Sequence, residues 1–561
     1  MLKKTRLVLQ IAFVILFTVS FFTLTRVPEA YHVPSHWFLR LNPLVSLLAS
    51  AASRGIFPPL ILSGITVTLL TIVFGRFFCG MLCPLGAVID FFDRFLFKRM
   101  RIRNCRPPLW AQKIKYVMLI GLISMAVLGS MTPLFMDPVL MMTRFFTLVI
   151  NPLASVAAED SKATLTPVFN AIGLDNLSYS VIHIPLYYGG AGAATLMILI
   201  IGAGIFDRRF WCQYICPSGA LLGLLSRFAI FRRRVCADTC TSCRACFVGC
   251  PTRAIAEDGR KTSTAECIVC GLCTARKKSC NSFGFAPFFR LQTCGADLER
   301  RHAFAGILGG LLLVPAIRAN ASLRRSDAGR CIRPPGAIPE TEFLGRCISC
   351  GACMKVCPTN AIQPCTLGDG FQRVYTPKIV PRIGGCEEKC HACGYVCPTG
   401  ALRKLSYEEK RFAKIGTAVI DRHRCLAWEQ NKECLVCDEV CPYNAITAMI
   451  VQTTTGRFKV PVVNEDLCLG CGMCEQHCPI TDQAAIIVYR FGENRRSTGP
   501  YIREKDKAEI LKKRQESDSD IGVSLEGSVR GTYEEPVSRP STAGNHGSEK
   551  ETGDTPPGFA F

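Results

Sequence analysis

Four apolar runs interrupt the polar background of the first 230 residues: Leu7 to Leu24, Phe57 to Phe74, Ile114 to Met131 and Tyr187 to Phe206. Each approaches the roughly 20 residues that an α-helix needs to cross a bilayer. They predict four spanning helices. Basic residues flank one side of them: Lys3, Lys4 and Arg6 at the start, Arg94, Lys98, Arg99, Arg101 and Arg103 after the second run, and Arg227, Arg232, Arg233 and Arg234 after the fourth. The stretch from Thr132 to Pro185 carries only Arg144 and Lys162 and reads as an outer loop. Because Lys and Arg are held on the cytoplasmic side, both ends of the unit are expected there.

The same region repeats itself. Asn42-Pro43-Leu44 precedes a run ending in Arg76-Phe77-Phe78-Cys79-Gly80-Met81-Leu82-Cys83-Pro84, and Asn151-Pro152-Leu153 precedes one ending in Arg209-Phe210-Trp211-Cys212-Gln213-Tyr214-Ile215-Cys216-Pro217. Two halves with the same direction imply a pseudo-twofold axis along the membrane normal. The axis would gather Cys79, Cys83, Cys212 and Cys216 at the cytoplasmic surface as a cofactor-binding or redox group, or leave them as small buried packing residues.

Further along, Arg300 and Arg301 precede a short, glycine-containing apolar stretch ending near Pro315. This pattern fits a twin-arginine export signal placed internally, a fifth spanning helix, or a buried core helix. Ala319-Asn320-Ala321 adds a small-residue pattern of the kind signal peptidases cut. Short β-prone stretches follow, Thr417 to Ile420 and Ala485 to Tyr489. Beyond Arg490 large apolar residues become rare, so the tail is expected to stay disordered. The implied organisation is 1–230 a helical membrane domain, 231–295 a cytoplasmic module, 296–320 an internal signal or span, 321–490 a second and periplasmic module, and 491–561 a tail.

Cysteine spacing supplies the chemistry, since 24 of the 33 cysteines fall into six groups of four. Cys240, Cys243, Cys246 and Cys250; Cys347, Cys350, Cys353 and Cys357; and Cys468, Cys471, Cys474 and Cys478 are complete Cys-x2-Cys-x2-Cys-x3-Cys runs, each followed by Pro. Cys386, Cys390, Cys393 and Cys397, and Cys425, Cys434, Cys437 and Cys441, widen only the first gap. Cys267, Cys270, Cys273 and Cys280 widen the last. In two-cluster ferredoxins the fourth thiolate of such a run serves the neighbouring [4Fe–4S] cube. Cys280 is therefore expected with Cys240, Cys243 and Cys246, and Cys250 with Cys267, Cys270 and Cys273. Zinc also uses Cys-x2-Cys pairs but seldom three such steps closed by Cys-Pro. A disulfide framework belongs to small secreted domains. Cys105, Cys236, Cys294, Cys331 and Cys365 receive no role.

The net charge of +22 follows from the membrane flanks, and no aromatic-interleaved basic stretch points to nucleic acid. The fold class expected is thus an α-helical membrane bundle, four spans plus a fifth, carrying α+β ferredoxin-like modules with six [4Fe–4S] clusters.

Together these motifs resemble two accessory ferredoxin families joined in one chain. Residues 1 to about 295 resemble the NapH and MauN membrane ferredoxins, and residues 296 to about 490 resemble the twin-arginine-exported NapG and MauM polyferredoxins, including Ile332-Arg333-Pro334-Pro335-Gly336-Ala337. The resemblance implies a quinol dehydrogenase component that draws electrons from the membrane quinol pool. It would deliver them to a periplasmic reductase, such as nitrate reductase, or to a cytochrome c-type acceptor. Groups suited to take the quinol protons are His32, His36, Asp90 and Asp137. Two other readings are an electron-supply or maturation factor for a periplasmic metalloenzyme, and a polyferredoxin facing the cytoplasm entirely.

Overall fold

A computed structural model describes residues 2–23, 37–55, 57–97, 107–131, 134, 136–171, 183–236, 238–276, 280–285, 300–323, 330–453, 456–501 and 512. His32, His36, Cys105, Cys294 and most of the tail lie outside the described residues. The helical region comprises α1 (Leu2–Phe22), α2 (Pro43–Ser53), α3 (Pro58–Phe74), α4 (Pro84–Phe92), α5 (Ile114–Val127), α6 (Pro138–Phe145), α7 (Asn151–Ala171), α8 (Gly190–Gly202), α9 (Pro217–Leu225) and α10 (Arg300–Leu323).

Among the described residues, three helical stretches are long and apolar enough to cross a membrane: Lys4–Phe22, Trp110–Val127 and Pro138–Pro167. Pro58–Phe74 and Gly190–Ile205 are shorter. The third long stretch falls in the segment expected as an outer loop, which is helical here. Thr143 and Thr147 are buried there, but their hydroxyls donate to the carbonyls of Val139 and Thr143, both at 2.9 Å. Polar residues that satisfy themselves along the helix do not need water.

The duplication takes a different alignment from the one the Asn-Pro-Leu triplets imply. α2 is N-capped by Asn42 with Pro at N1, and α6 is N-capped in the same way by Asp137 before Pro138. Asn151, by contrast, lies inside a continuous helical run and caps nothing. The two caps meet: Asn42 Nδ2 donates to Asp137 Oδ2 at 2.6 Å, and Ser218, just after Cys216-Pro217, donates to the same carboxylate. Asp137 also accepts from the Val139 and Leu140 amides, so it ties helix starts together rather than facing a free space.

The first cysteine module, framed by the antiparallel pair β1 (Phe231–Val235) and β2 (Asn281–Phe285), docks on one end of this bundle. Arg76, at the end of α3, donates to Ala265 O at 2.8 Å and Glu266 at 3.1 Å. Tyr116, at the start of α5, donates to the same Glu266 at 2.9 Å, and Lys115 pairs with it too. Burial would push this carboxyl up, but Lys115 and then Arg76 hold it below the usual range.

The second module contains β3 (Ile362–Pro364) against β4 (Pro377–Ile379), β5 (Thr417–Ile420) against β8 (Ile486–Tyr489), and the hairpin β6 (Ile446–Thr453) and β7 (Gly456–Val463). The pairing of β5 with β8 matches the two β-prone stretches. This module touches the other helix ends. Lys355 lies over Phe21 and Phe22 at the end of α1, Arg346 lies over Phe57 before α3, and Tyr187, before α8, donates to Met354 O at 3.1 Å. Arg144 Nε in α6 donates to Ser349 O at 3.1 Å. Packing continues past residue 490, because Arg495 pairs with Glu340 at 2.7 Å and Tyr501 is buried.

α10 connects the two modules by running along α5. A Cβ at Gly306 would stand 2.8 Å from Val117 O, and one at Gly310 would overlap Ser124. Small residues four apart let the backbones of two apolar helices approach closely, the usual basis of helix pairing in lipid. Ala319 to Ala321 fall in the last turns of α10.

Candidate functional site

The cysteine quartets line closed spaces. Cys250 joins Cys267, Cys270 and Cys273 around one small cavity walled by Ile255 and Phe283. Cys441 joins Cys468, Cys471 and Cys474 around another, and Cys478 joins Cys425, Cys434 and Cys437 around a third. Electrostatic contact groups Cys397 with Cys347, Cys350 and Cys353, and Cys357 with Cys386, Cys390 and Cys393. Asn281 Nδ2 reaches both Cys246 Sγ at 3.0 Å and Cys280 Sγ at 3.5 Å. In five of the six quartets the fourth cysteine thus lies with the triplet of the neighbouring run, and Cys280 shares Asn281 with Cys246 of the sixth.

This crossed arrangement suits cubes rather than single ions. A fourth thiolate that crosses to the neighbouring run is the ligation of two-cluster ferredoxins. Backbone amides point at the sulfurs: Ala254 N to Cys250 at 3.3 Å, Ala445 N to Cys441 at 3.4 Å and Ala485 N to Cys478 at 3.4 Å. Such bonds stabilise electron-rich thiolates and tune cluster potential. Burial pushes the Cys273 thiol up to about 11 and the Cys437 thiol up to about 12. Only a cationic metal core would keep them as thiolates near neutral pH.

The loops pay local strain to aim these sulfurs. The residue just before the second cysteine has positive φ in four runs: Ser242 at 50°, Val269 at 51°, Ser349 at 52° and Gly470 at 72°. A β-branched Val in that region is unusual, and such strain collects at functional sites.

At the bundle end, Cys79, Cys83, Cys212 and Cys216 come within electrostatic reach of one another. Each motif passes through a π-turn, Phe78–Leu82 or Trp211–Ile215, into a helix that its second cysteine caps. Two fully buried arginines, which sequence reading left without a role, cross between the halves. Arg209 donates to Cys79 O at 2.8 Å and Gly86 O at 3.3 Å, while Arg76 faces Gly219, where a Cβ would come within 2.9 Å of its Nη2. The signal was available, since an Arg stands three residues before the first Cys in both repeats.

Beside this group lies a cleft of about 870 Å³ between α1, α4 and the first module. Leu7, Ile11 and Phe91 form its apolar wall, and Arg6, Gln10 and Asp90 its polar end. Asp90 accepts from Arg209 at 2.8 and 2.7 Å, from Gln10 at 2.8 Å and from Arg6. Pro251 and Leu272 complete the lining, next to Cys250 and Cys273. Of the four expected proton-accepting groups, the structure brings only Asp90 to a cleft. Asp137 is enclosed, and the two histidines lie outside the described residues.

Comparison with known proteins agrees with this chemistry. Family models described as 4Fe-4S binding domains match residues 56–103, 190–235, 393–415 and 343–363, and a 4Fe-4S dicluster domain matches 432–481. The chain is 38% identical over 191 residues to the methylamine utilization ferredoxin-type protein MauM of Methylorubrum extorquens, covering 32% of this chain and 80% of that protein. It is 36% identical over 203 residues to the ferredoxin-type protein NapG of Escherichia coli, 33% of this chain and 87% of that one. A putative electron transport protein of E. coli, YccM, is 25% identical over 249 residues, 44% of this chain and 59% of YccM. No solved structure matches.

Proposed function

Because the chain belongs, through its C-terminal part, to the MauM and NapG family of ferredoxin-type proteins, we propose that it carries electrons across a membrane, from quinol on one side to a periplasmic reductase or cytochrome c-type acceptor on the other. The observation that carries this reading is the docking of two cysteine modules on opposite ends of one apolar helix bundle. Glu266 binds the ends marked by Arg76 and Lys115, whereas Lys355 and Arg346 meet the ends marked by Phe21 and Phe57. α1, α3, α5, α8 and α10 would be the five crossings; Pro138–Pro167 is not counted, since Arg144 within it and Tyr187 after it both meet the second module.

Six quartets of cysteines would hold six [4Fe–4S] clusters, which supply one-electron carriers when bound. Quinol gives up two electrons and two protons, so the protein must take the protons separately. The cleft fits a flat apolar ring with polar ends, and its size falls within the range of small-molecule sites. Gln10 and Arg6 would orient the quinol hydroxyl, and Asp90, whose Oδ2 already accepts from Arg6, Gln10 and Arg209, would hold both of them in place rather than take the proton itself. The walls formed by Pro251 and Leu272 would keep the ring beside the module that takes the electrons. Docking on both ends of the bundle argues against the reading in which every quartet faces the cytoplasm.

Sidedness is the test. A reporter active only in the periplasm, fused after Tyr501 so that the Arg495–Glu340 pair survives, should give a signal. That signal should vanish when Arg300 and Arg301 are both changed to Lys if export uses the twin-arginine route. Silence in both fusions sinks the transmembrane path. Purified protein should also oxidise a water-soluble quinol with an artificial acceptor, and Asp90→Asn, which loosens Arg6 and Gln10, should raise KM for the quinol more than it lowers kcat.

A further inference from the structure

Two cysteines outside every quartet meet in the second module. Cys331 Sγ and Cys365 Sγ lie 3.9 Å apart, and both are buried. Cys331 stands where the chain enters the module after α10, and Cys365 follows β3 directly. The backbone holds both in place: Ile379 N donates to Ile332 O at 2.7 Å, Cys365 N donates to Thr376 O at 2.8 Å, and Tyr375 N donates to Cys365 O at 2.9 Å. We propose that Cys331 and Cys365 form a disulfide that fastens the entry strand of the second module to its β3–β4 pair.

The surroundings favour the chemistry of exchange. Arg333 Nη1 lies 3.7 Å from Cys365 Sγ and is itself fixed by Glu340 at 2.7 Å. The hydrogen bond with Cys365, helped by Arg333, holds the Cys331 thiol below the usual thiol range. A thiolate is the species that attacks a disulfide. The step consumes an oxidised protein disulfide of the exporting compartment: one thiolate attacks it, its partner thiol displaces the mixed disulfide, and two thiols on the donor protein carry away the two electrons and two protons. Burial then shields the new bond from reductants. It also sets these two sulfurs apart from the quartets, where a disulfide would cost a cluster. The bond rests on the reading that this module faces an oxidising compartment.

The test uses membranes containing the full chain, quenched in acid, denatured and alkylated with iodoacetamide before digestion and mass spectrometry. The expected result is a peptide pair linked through Cys331 and Cys365 that separates only after reduction. A second arm treats purified, undenatured protein with oxidised glutathione. Thiols that are alkylated in membranes but link in the second arm overturn the sidedness while supporting the pair. Thiols that stay free in both arms overturn the pair itself. In Cys331→Ser, Cys365 should become alkylatable without reduction, and a Cys365 that remains protected there also overturns the pairing.

Discussion

Gly80 sits inside the first Cys-x3-Cys-Pro element, where a Cβ would stand well inside any real contact with Ile268 O and 3.3 Å from its carbonyl carbon. Ile268 lies in the loop between Cys267 and Cys270, so Gly80→Ala wedges the first module off the bundle. Overpacking of this kind costs about 1–3 kcal/mol. Because the clash is with a backbone carbonyl, the upper figure of about 3 kcal/mol applies, and replacing Gly by Ala in a helical turn offsets about 0.5–1 kcal/mol of it, a net cost of about 2–2.5 kcal/mol. At 1.36 kcal/mol per decade, that means roughly a 30- to 70-fold rise in the undocked population. Hydrogen exchange of peptides covering residues 263–273 reads the change directly, because local opening sets exchange when it is fast. Gly202→Ala is the control with opposite sign, since nothing lies within 4 Å of a Cβ there. It should leave exchange at 263–273 unchanged and slightly stabilise α8. If Gly80→Ala exchanges no faster than the parent, the close docking of motif and module is wrong.

The remaining expectations concern the quartets and their supports. Cys397→Ser should remove the same cluster signal as Cys347→Ser and lower iron content by about four of roughly 24 atoms, as electron paramagnetic resonance and iron analysis would show. Losing a different signal in the two variants would refute the crossed arrangement. Glu340 binds Arg333, Arg373 and Arg495 at 2.7, 3.0 and 2.7 Å. Glu340→Gln should therefore cost about 3 kcal/mol, the low end for breaking a buried pair. Burial alone would raise the Glu340 carboxyl, but Arg333, then Arg495 and Arg373, hold it well below its ordinary 4.5. Its contribution is thus complete above that pH and is lost as pH falls toward the folded value, so the stability gap between parent and Gln variant should narrow in acid, as urea titrations at several pH values would reveal. Gly310→Leu, which drives a side chain into Ser124 and Gly121 of α5, should abolish insertion of the second module or sharply lower its yield, measured by the fusion reporter after Tyr501.

Spacing alone determined the iron–sulfur chemistry, because a Cys-x2-Cys step fits one loop whatever surrounds it. The placing of Cys250 with Cys267, Cys270 and Cys273 was legible for the same reason, as were the strands at 417–420 and 486–489, which are rich in β-branched residues. Apolar runs likewise marked α1, α3, α5 and α8. What failed was any reading that equated polar with exposed. Asp137, Thr143, Arg144, Thr147 and Asn151 are all buried in helical or helix-capping positions, and only the surrounding helices and the second module show where their hydrogen bonds go. The true counterpart of Asn42 was hidden because Asp137 caps α6 with a different side chain, while Asn151-Pro152 matches in letters and not in place. The pairing of the four later quartets, the meeting of Cys331 with Cys365 and the crossing of Arg76 and Arg209 join residues tens to more than a hundred positions apart. Local pattern carries no record of such distances. They are set by which helix ends and strand edges can pack together while giving most buried polar groups a partner.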